Sequence, residues 1–195
     1  MKRTALILTL LLATVALAAT AAPTTKSSTK GGKPYFEATD KVTAQATVVS
    51  VNKSNRKVKL TTEAGDTVHV ECGPEVKNFA QIAKGDVVKI TYTEKLTIHV
   101  EPAGGPGTSA EATTATAKEG AKPSMSASAK IQYKASITAI DKEKGTVTLK
   151  GDDGREFDVT PRKKENLSKV QVGDLVVFTY SEAVAASVEK VPAAK

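Results

Sequence analysis

The sequence predicts an all-β protein: two tandem small five-stranded barrels, each with a short helix or 3₁₀ turn before its fourth strand, joined by a disordered linker. Three observations predict it. The stretch Ile82-Ala83-Lys84-Gly85-Asp86-Val87-Val88-Lys89-Ile90-Thr91-Tyr92-Thr93-Glu94 returns as Val170-Gln171-Val172-Gly173-Asp174-Leu175-Val176-Val177-Phe178-Thr179-Tyr180-Ser181-Glu182. Short runs alternate apolar and polar residues with period two and are bounded by Gly, Asn, Asp and Ser, the pattern of antiparallel strands joined by turns. With four Tyr, four Phe and no Trp in 195 residues, the cores must be built from Val, Ile, Leu and Ala, and the β-branched members of that set favour strands.

The repeat extends well beyond the opening match. Ala46 matches Ala135, an offset of 89, and Lys53, Val58, Leu60, Gly65 and Val70 match Lys142, Val147, Leu149, Gly154 and Val159. One residue is then lost, and Asn78, Gly85, Tyr92, Glu94 and Val100 match Asn166, Gly173, Tyr180, Glu182 and Val188 at an offset of 88. Duplication of one ancestral module is the simplest account. A unit of about 60 residues buries only about 60% of its unfolded surface, so each module alone is marginally stable.

In the first module, Ala46 to Val51 is the first strand and Asn52-Lys53-Ser54-Asn55 its turn. Lys57 to Thr61 follows with Val58 and Leu60 inward, then Glu63 to Asp66 as a turn, then Thr67 to Cys72 with Val68, Val70 and Cys72 inward. Gly73-Pro74 ends that strand, because proline cannot donate to a ladder. Val76, Phe79 and Ile82 fall at helical spacing, which places a short helix or 3₁₀ turn between Glu75 and Ala83. Lys84-Gly85-Asp86 makes a turn, Val88, Ile90 and Tyr92 point inward on the fourth strand, and a tight turn at Thr93-Glu94-Lys95 leads to a fifth strand, Leu96 to Val100.

Strand, strand, strand, short helix and hairpin is the order of an OB-like barrel, with an SH3-like barrel as the alternative. The run Glu75-Val76-Lys77-Asn78-Phe79-Ala80-Gln81-Ile82-Ala83-Lys84-Gly85-Asp86 with Thr91-Tyr92-Thr93-Glu94 resembles a type of small exported bacterial β-barrel domain of uncharacterised function. The resemblance covers both modules, the first more closely. It implies the fold and an envelope location, and no activity. A fainter similarity is to periplasmic OB-type copper-binding domains, which bind through Met, His and Trp; Trp is absent here.

Met1-Lys2-Arg3 followed by the apolar run Ala5 to Ala18 reads as a secretory signal peptide over residues 1–22, cleaved after Ala18, Ala21 or Ala22, with an uncleaved anchor as the alternative. Cleavage would leave no membrane span and a periplasmic or secreted protein. Residues 23–41 read as a flexible leader, 42–101 as the first module, 102–130 as a disordered Ala/Thr/Ser/Gly/Pro linker, 131–190 as the second module and 191–195 as a tail.

The formal charge of +7 and pI near 9.4 raise nucleic acid as a partner. Two of the positive charges belong to Lys2 and Arg3, and the rest alternate with acids, which makes for solubility rather than a binding groove. The outward face of the second and third strands carries no aromatic on which bases would stack. Nucleic acid is therefore not an expected partner.

Few residues invite a chemical reading. Cys72 is the only cysteine, so no intramolecular disulfide forms, and its parity predicts a buried apolar thiol. His69 and His99 fall on outward parity as solvent-exposed side chains, away from Cys72, so no metal or cofactor site is expected. Arg162-Lys163-Lys164 is the one compact basic cluster, read as a solvated loop with an anion site for phosphate or uronate as the functional alternative. Tyr92 with Glu94, and Tyr180 with Glu182, share core parity and read as a structural corner at the barrel rim, each phenol finding a backbone partner. Gly85 with Asp86 and Gly173 with Asp174 are structural turn residues. Valine at either glycine is expected to cost more than alanine at either aspartate.

No nucleophile, base and orienting group assemble into a catalytic set. The sequence thus predicts an exported, non-catalytic binding or structural protein of the cell envelope, with a protein or anionic glycan as partner. The alternative is a periplasmic metal-binding protein.

Overall fold

The computed structural model describes residues 23–190. The expected signal peptide (1–22) and tail (191–195) lie outside the described residues. Antiparallel strands account for most of the rest: β1 (Thr24–Lys30), β2 (Lys33–Asn52), β3 (Lys57–Thr62), β4 (Thr67–Glu71), β5 (Val87–Glu101), β6 (Gly107–Thr116), β7 (Ser124–Asp141), β8 (Thr146–Lys150), β9 (Glu156–Val159) and β10 (Leu175–Glu189). Two 3₁₀ turns, Phe79–Gln81 and Lys164–Lys169, fall where the helical spacing and its repeat at Asn166 place them.

All ten strands belong to one sheet, in the order β4-β3-β2-β5-β10-β7-β8-β9, with β1 added to β2 and β6 added to β7. The expected arrangement of two barrels on a linker is corrected accordingly. Each half has its β-meander and 3₁₀ turn, but among the described residues no ladder joins β4 to β5 or β9 to β10, and the two halves meet along β5 and β10.

The tight turn expected at Thr93-Glu94-Lys95 does not form; β5 runs through it as one strand of 15 residues. The reason is local and tertiary together. Thr93, Glu94 and Lys95 include no Gly, Pro, Asn or Asp to set a turn, and β5 is paired along its whole length with β10 and over Val87 to His99 with β2.

The leader and linker are corrected in the same way. Residues 24–30 form β1 and 107–116 form β6, each an antiparallel partner of the first part of a long strand. Their Ser, Thr and Ala side chains bury little, and every residue of β1 is exposed. A segment added to an existing ladder satisfies its backbone groups by pairing, so the low apolar content that suggested disorder is compatible with an edge strand.

Alternation gives the central sheet two unlike faces. Val88, Ile90, Tyr92, Glu94, Leu96 and Ile98 of β5 share one face with Val176, Phe178, Tyr180, Glu182, Val184 and Val188 of β10. The other face is rich in Thr, Ser and Lys. At either end the sheet folds over a small core. The first holds Val48, Val58, Leu60, Phe79 and Ile82, with Cys72 and Val188 packed against it; the second holds Ala135, Ile137, Val147, Leu149 and Leu167, with Tyr133 and Phe178 against it. Val188 belongs to β10, so the second half contributes to the first core.

The Gly-Asp turns dock on bulges. Register shifts at Val48/Ser50 in β2 and at Ile137/Ala139 in β7. The Gly85 amide donates to the Val48 carbonyl and the Val48 amide to the Asp86 carbonyl, both at 2.8 Å. Gly173, Ile137 and Asp174 repeat the pattern at 2.9 and 2.8 Å. Gly85 and Gly173 have φ of 88° and 94°, the conformation glycine adopts without steric cost.

Candidate binding pocket between the halves

Three constellations bring together side chains from both halves: the seam of β5 and β10, the ion pairs of Lys33 with Asp174 and of Lys122 with Asp86, and a pocket where β1 and β2 meet the second core.

At the seam, Glu94 stands directly opposite Glu182, and Asp40 of β2 opposite Glu94, so three carboxylates form a row on the more apolar face. Like charges at directly opposed positions repel. The tyrosines offset part of this. Tyr92 donates its phenol to Glu94 Oε1 at 2.7 Å, and Tyr180, from the other half, donates to the same oxygen at 2.9 Å. The phenols thus find a carboxylate rather than a backbone partner, and they do so mid-strand rather than at a barrel rim. These two hydrogen bonds hold the Glu94 carboxyl below its usual range. Burial first, and the bond to Glu94 second, push the Tyr92 phenol well above its ordinary value.

A set of ion pairs also ties each half to the other. Asp86, 4% exposed, accepts from the Ala83 amide at 2.8 Å and from Lys122 Nζ; Asp174, 0% exposed, accepts from the Gln171 amide at 2.9 Å and from Lys33 Nζ at 2.5 Å. Lys122 lies in the β6–β7 hairpin and pairs with the first half. Lys33 starts β2 and pairs with the second. Sequence reasoning missed both lysines, although the signal was present: Gly31-Gly32-Lys33-Pro34 recurs at the offset of 89 as Gly120-Ala121-Lys122-Pro123, within segments read as leader and linker.

The pocket has a volume of about 680 Å³, inside the roughly 300–1,000 Å³ typical of small-molecule sites. Its floor is apolar: Ile137, Val147, Leu149 and Leu167 of the second core, faced by Phe36 and Ile98 of the first half. The basic residues on its lining are Lys26, Arg162 and Lys163, with His99 beside them, and it has no Asp or Glu. The Arg162 guanidinium lies 5.4 Å from the Phe36 ring centroid, a cation–π distance that links the loop after β9 to β2.

Of the expected basic cluster, Arg162 and Lys163 thus reach the pocket. Lys164 does not; its stem runs beside Gly145, 3.3 Å from where a Cβ there would sit. In the first half the position matching Gly145 is Arg56. Its guanidinium stacks 4.5 Å from the Phe79 centroid and donates to the carbonyls of Cys72, Gly73 and Val76 at 2.7–2.9 Å. The matching region of the first half is therefore occupied by its own side chain.

The other candidates are placed separately. Cys72 is half-buried against the first core, and burial pushes its thiol up. His69 is exposed, as expected. His99 is not: its side chain is 25% exposed, its Nε2 lies 3.1 Å from Glu101 Oε1, and its Nδ1 is buried without a hydrogen-bond partner among the described residues. His99 stands on a strand flanked on both sides, between Tyr35 of β2 and Val177 of β10, and Lys134 of the second half bonds the other oxygen of Glu101 at 2.9 Å. Among the described residues no three His, Cys, Asp or Glu are grouped so as to hold a metal ion, and no helix is long and apolar enough to cross a membrane. Comparison with family models, with curated proteins and with solved structures returns no match.

Proposed function

We propose that this is an exported, non-catalytic binding protein of the cell envelope, built by duplication of one small β-module, whose ligand occupies the apolar pocket between the halves. One observation carries the binding reading. A pocket of about 680 Å³ with an aliphatic and aromatic floor is bounded by side chains of both halves, the combination of apolar lining and a few convergent polar groups that marks small-molecule sites. Export rests on the charged start, apolar middle and small-residue end of residues 1–22. Among the described residues no grouping of ligands supports the metal-binding alternative.

Binding is tested with the neutral fluorescent probe N-phenyl-1-naphthylamine. Saturable one-to-one binding to the purified protein is expected, and Ile98→Trp, which fills the pocket from β5, should abolish it while thermal unfolding stays cooperative. Absence of saturable binding to the wild-type protein would refute the reading. Cell fractionation tests export separately: the protein should be found outside the cytoplasm, with its N-terminus at or just after residues 19–23.

A further inference from the structure

The lining of the pocket carries a sign as well as a shape. Resting on the binding reading above, we infer that the ligand is a single-chain amphipathic anion, its alkyl chain on the apolar floor and its carboxylate or phosphate head at Arg162 and Lys163. Two observations on the site support this chemistry. The floor residues Ile137, Val147, Leu149, Leu167, Phe36 and Ile98 offer a chain only dispersion contacts and exclusion of water. Among the described residues, three basic side chains line the pocket and no acid does.

The cations also differ in how free they are. Lys33, next to the pocket residue Pro34, is engaged by Asp174 and unavailable. Lys26 stands opposite Glu37 in the β1–β2 ladder, but that carboxylate is bound by Lys95 at 2.7 Å and by the Tyr35 phenol at 2.6 Å. Lys163 has only Glu165 at 4.0 Å, with both side chains more than half exposed, a pairing of little strength. Arg162 rests on the Phe36 face, which orients a planar fork of donors beside the apolar floor. Apolar floor and free cations lie together, so one molecule spans both only if it is itself apolar at one end and anionic at the other.

The test is competition against bound N-phenyl-1-naphthylamine, using probes of equal chain length: dodecanoate, dodecyl phosphate, dodecanol and dodecyltrimethylammonium, with inorganic phosphate as the head alone. Dodecanoate or dodecyl phosphate should displace the probe about tenfold more tightly than dodecanol, as expected for a hydrogen bond to a charged group. The better of the two identifies the head. Dodecyltrimethylammonium should be weaker than the alcohol, and phosphate alone should not displace the probe.

In Arg162→Gln/Lys163→Gln the anion preference should fall to within about twofold of the alcohol, while cooperative thermal unfolding shows that the fold survives. Equal displacement by anion and alcohol, or an unchanged preference in the double variant, would overturn the inference and leave the binding reading intact. Failure of the neutral probe to bind the wild-type protein would overturn both.

Discussion

At the scale of single residues the Gly-Asp turns show best how burial alters an expectation. Sequence alone puts the larger cost at valine in place of Gly85 or Gly173; alanine there gives a different comparison. A Cβ at either would meet nothing within 4 Å, so Gly173→Ala loses only conformational ease, about 1–2 kcal/mol. Asp174→Ala instead strands the Gln171 amide and Lys33 beside a fully buried site. Removing one partner of a buried pair costs about 3–5 kcal/mol, and the partial exposure of Lys33 brings the expectation to about 2–4 kcal/mol. Urea unfolding of the two variants should therefore rank Asp174→Ala as the more damaging, and the opposite order would refute the burial argument. Glu94 gives a pH prediction. Its folded pKa is depressed by the phenols of Tyr92 and Tyr180, so its contribution is present above the ordinary glutamate value of about 4.3 and is lost as pH falls through the lower folded value. The Tyr92 phenol shifts the other way, so its contribution holds below about pH 10 and is lost above it. In Tyr92→Phe/Tyr180→Phe the acid limb of stability against pH should flatten, measured by urea midpoints from pH 6 to 3; an unchanged limb would show that the phenols do not sustain the shift.

At the scale of elements, the lysine hairpins act as reciprocal latches, each holding the first part of a long strand onto the opposite half. The coupling is measurable. A double-mutant cycle on Lys33→Met and Asp174→Asn should give an interaction of about 1–3 kcal/mol, in the range for residues in one ion-pair network; a value near zero would mean that the hairpin is held by its ladder alone. These elements also show where sequence reasoning reached its limit. The strands β3, β4, β8 and β9, the two 3₁₀ turns and the inward sets Val58/Leu60 and Val147/Leu149 are legible because alternation and turn residues are local. The lengths of β2, β5, β7 and β10 are not, since those are set by partners far away in the chain. Thr93 to Lys95 looks like a turn only when β10 is left out of view, and the Thr/Ser tract of β6 looks disordered only when β7 is. The Tyr-x-Glu pairs and Arg162-Lys163 were visible as residues, whereas the convergence of two tyrosines on one carboxylate, and of a basic loop on Phe36, depends on how the halves meet.

At the scale of the whole molecule, the seam decides whether the halves behave as one body or two. β5 and β10 are paired over 15 residues in unbroken register, from Leu175 opposite Glu101 to Glu189 opposite Val87. Val188 packs on the core of the first half, and Lys33 and Lys122 each reach the aspartate of the other. Neither half can unfold without stripping the other of a central strand partner, an ion-pair partner and a wall of the pocket. Each half is also of a size that would be only marginally stable alone. Unfolding of the native chain should accordingly be a single cooperative transition, with calorimetric and van't Hoff enthalpies equal. Amides of β5 and β10 should exchange only through global opening, while those of the exposed strand β1 exchange at lower free energy. Two modules on a loose linker predict instead two separable transitions, with seam amides of each half exchanging at that half's own stability. Thr91→Pro on β5, which removes a ladder donor from a strand paired on both sides, discriminates the two. In a single body it lowers the midpoint of the only transition by several degrees or more, and protection of β7 and β8 falls with it. Were the halves independent, β7 and β8 would keep their wild-type protection.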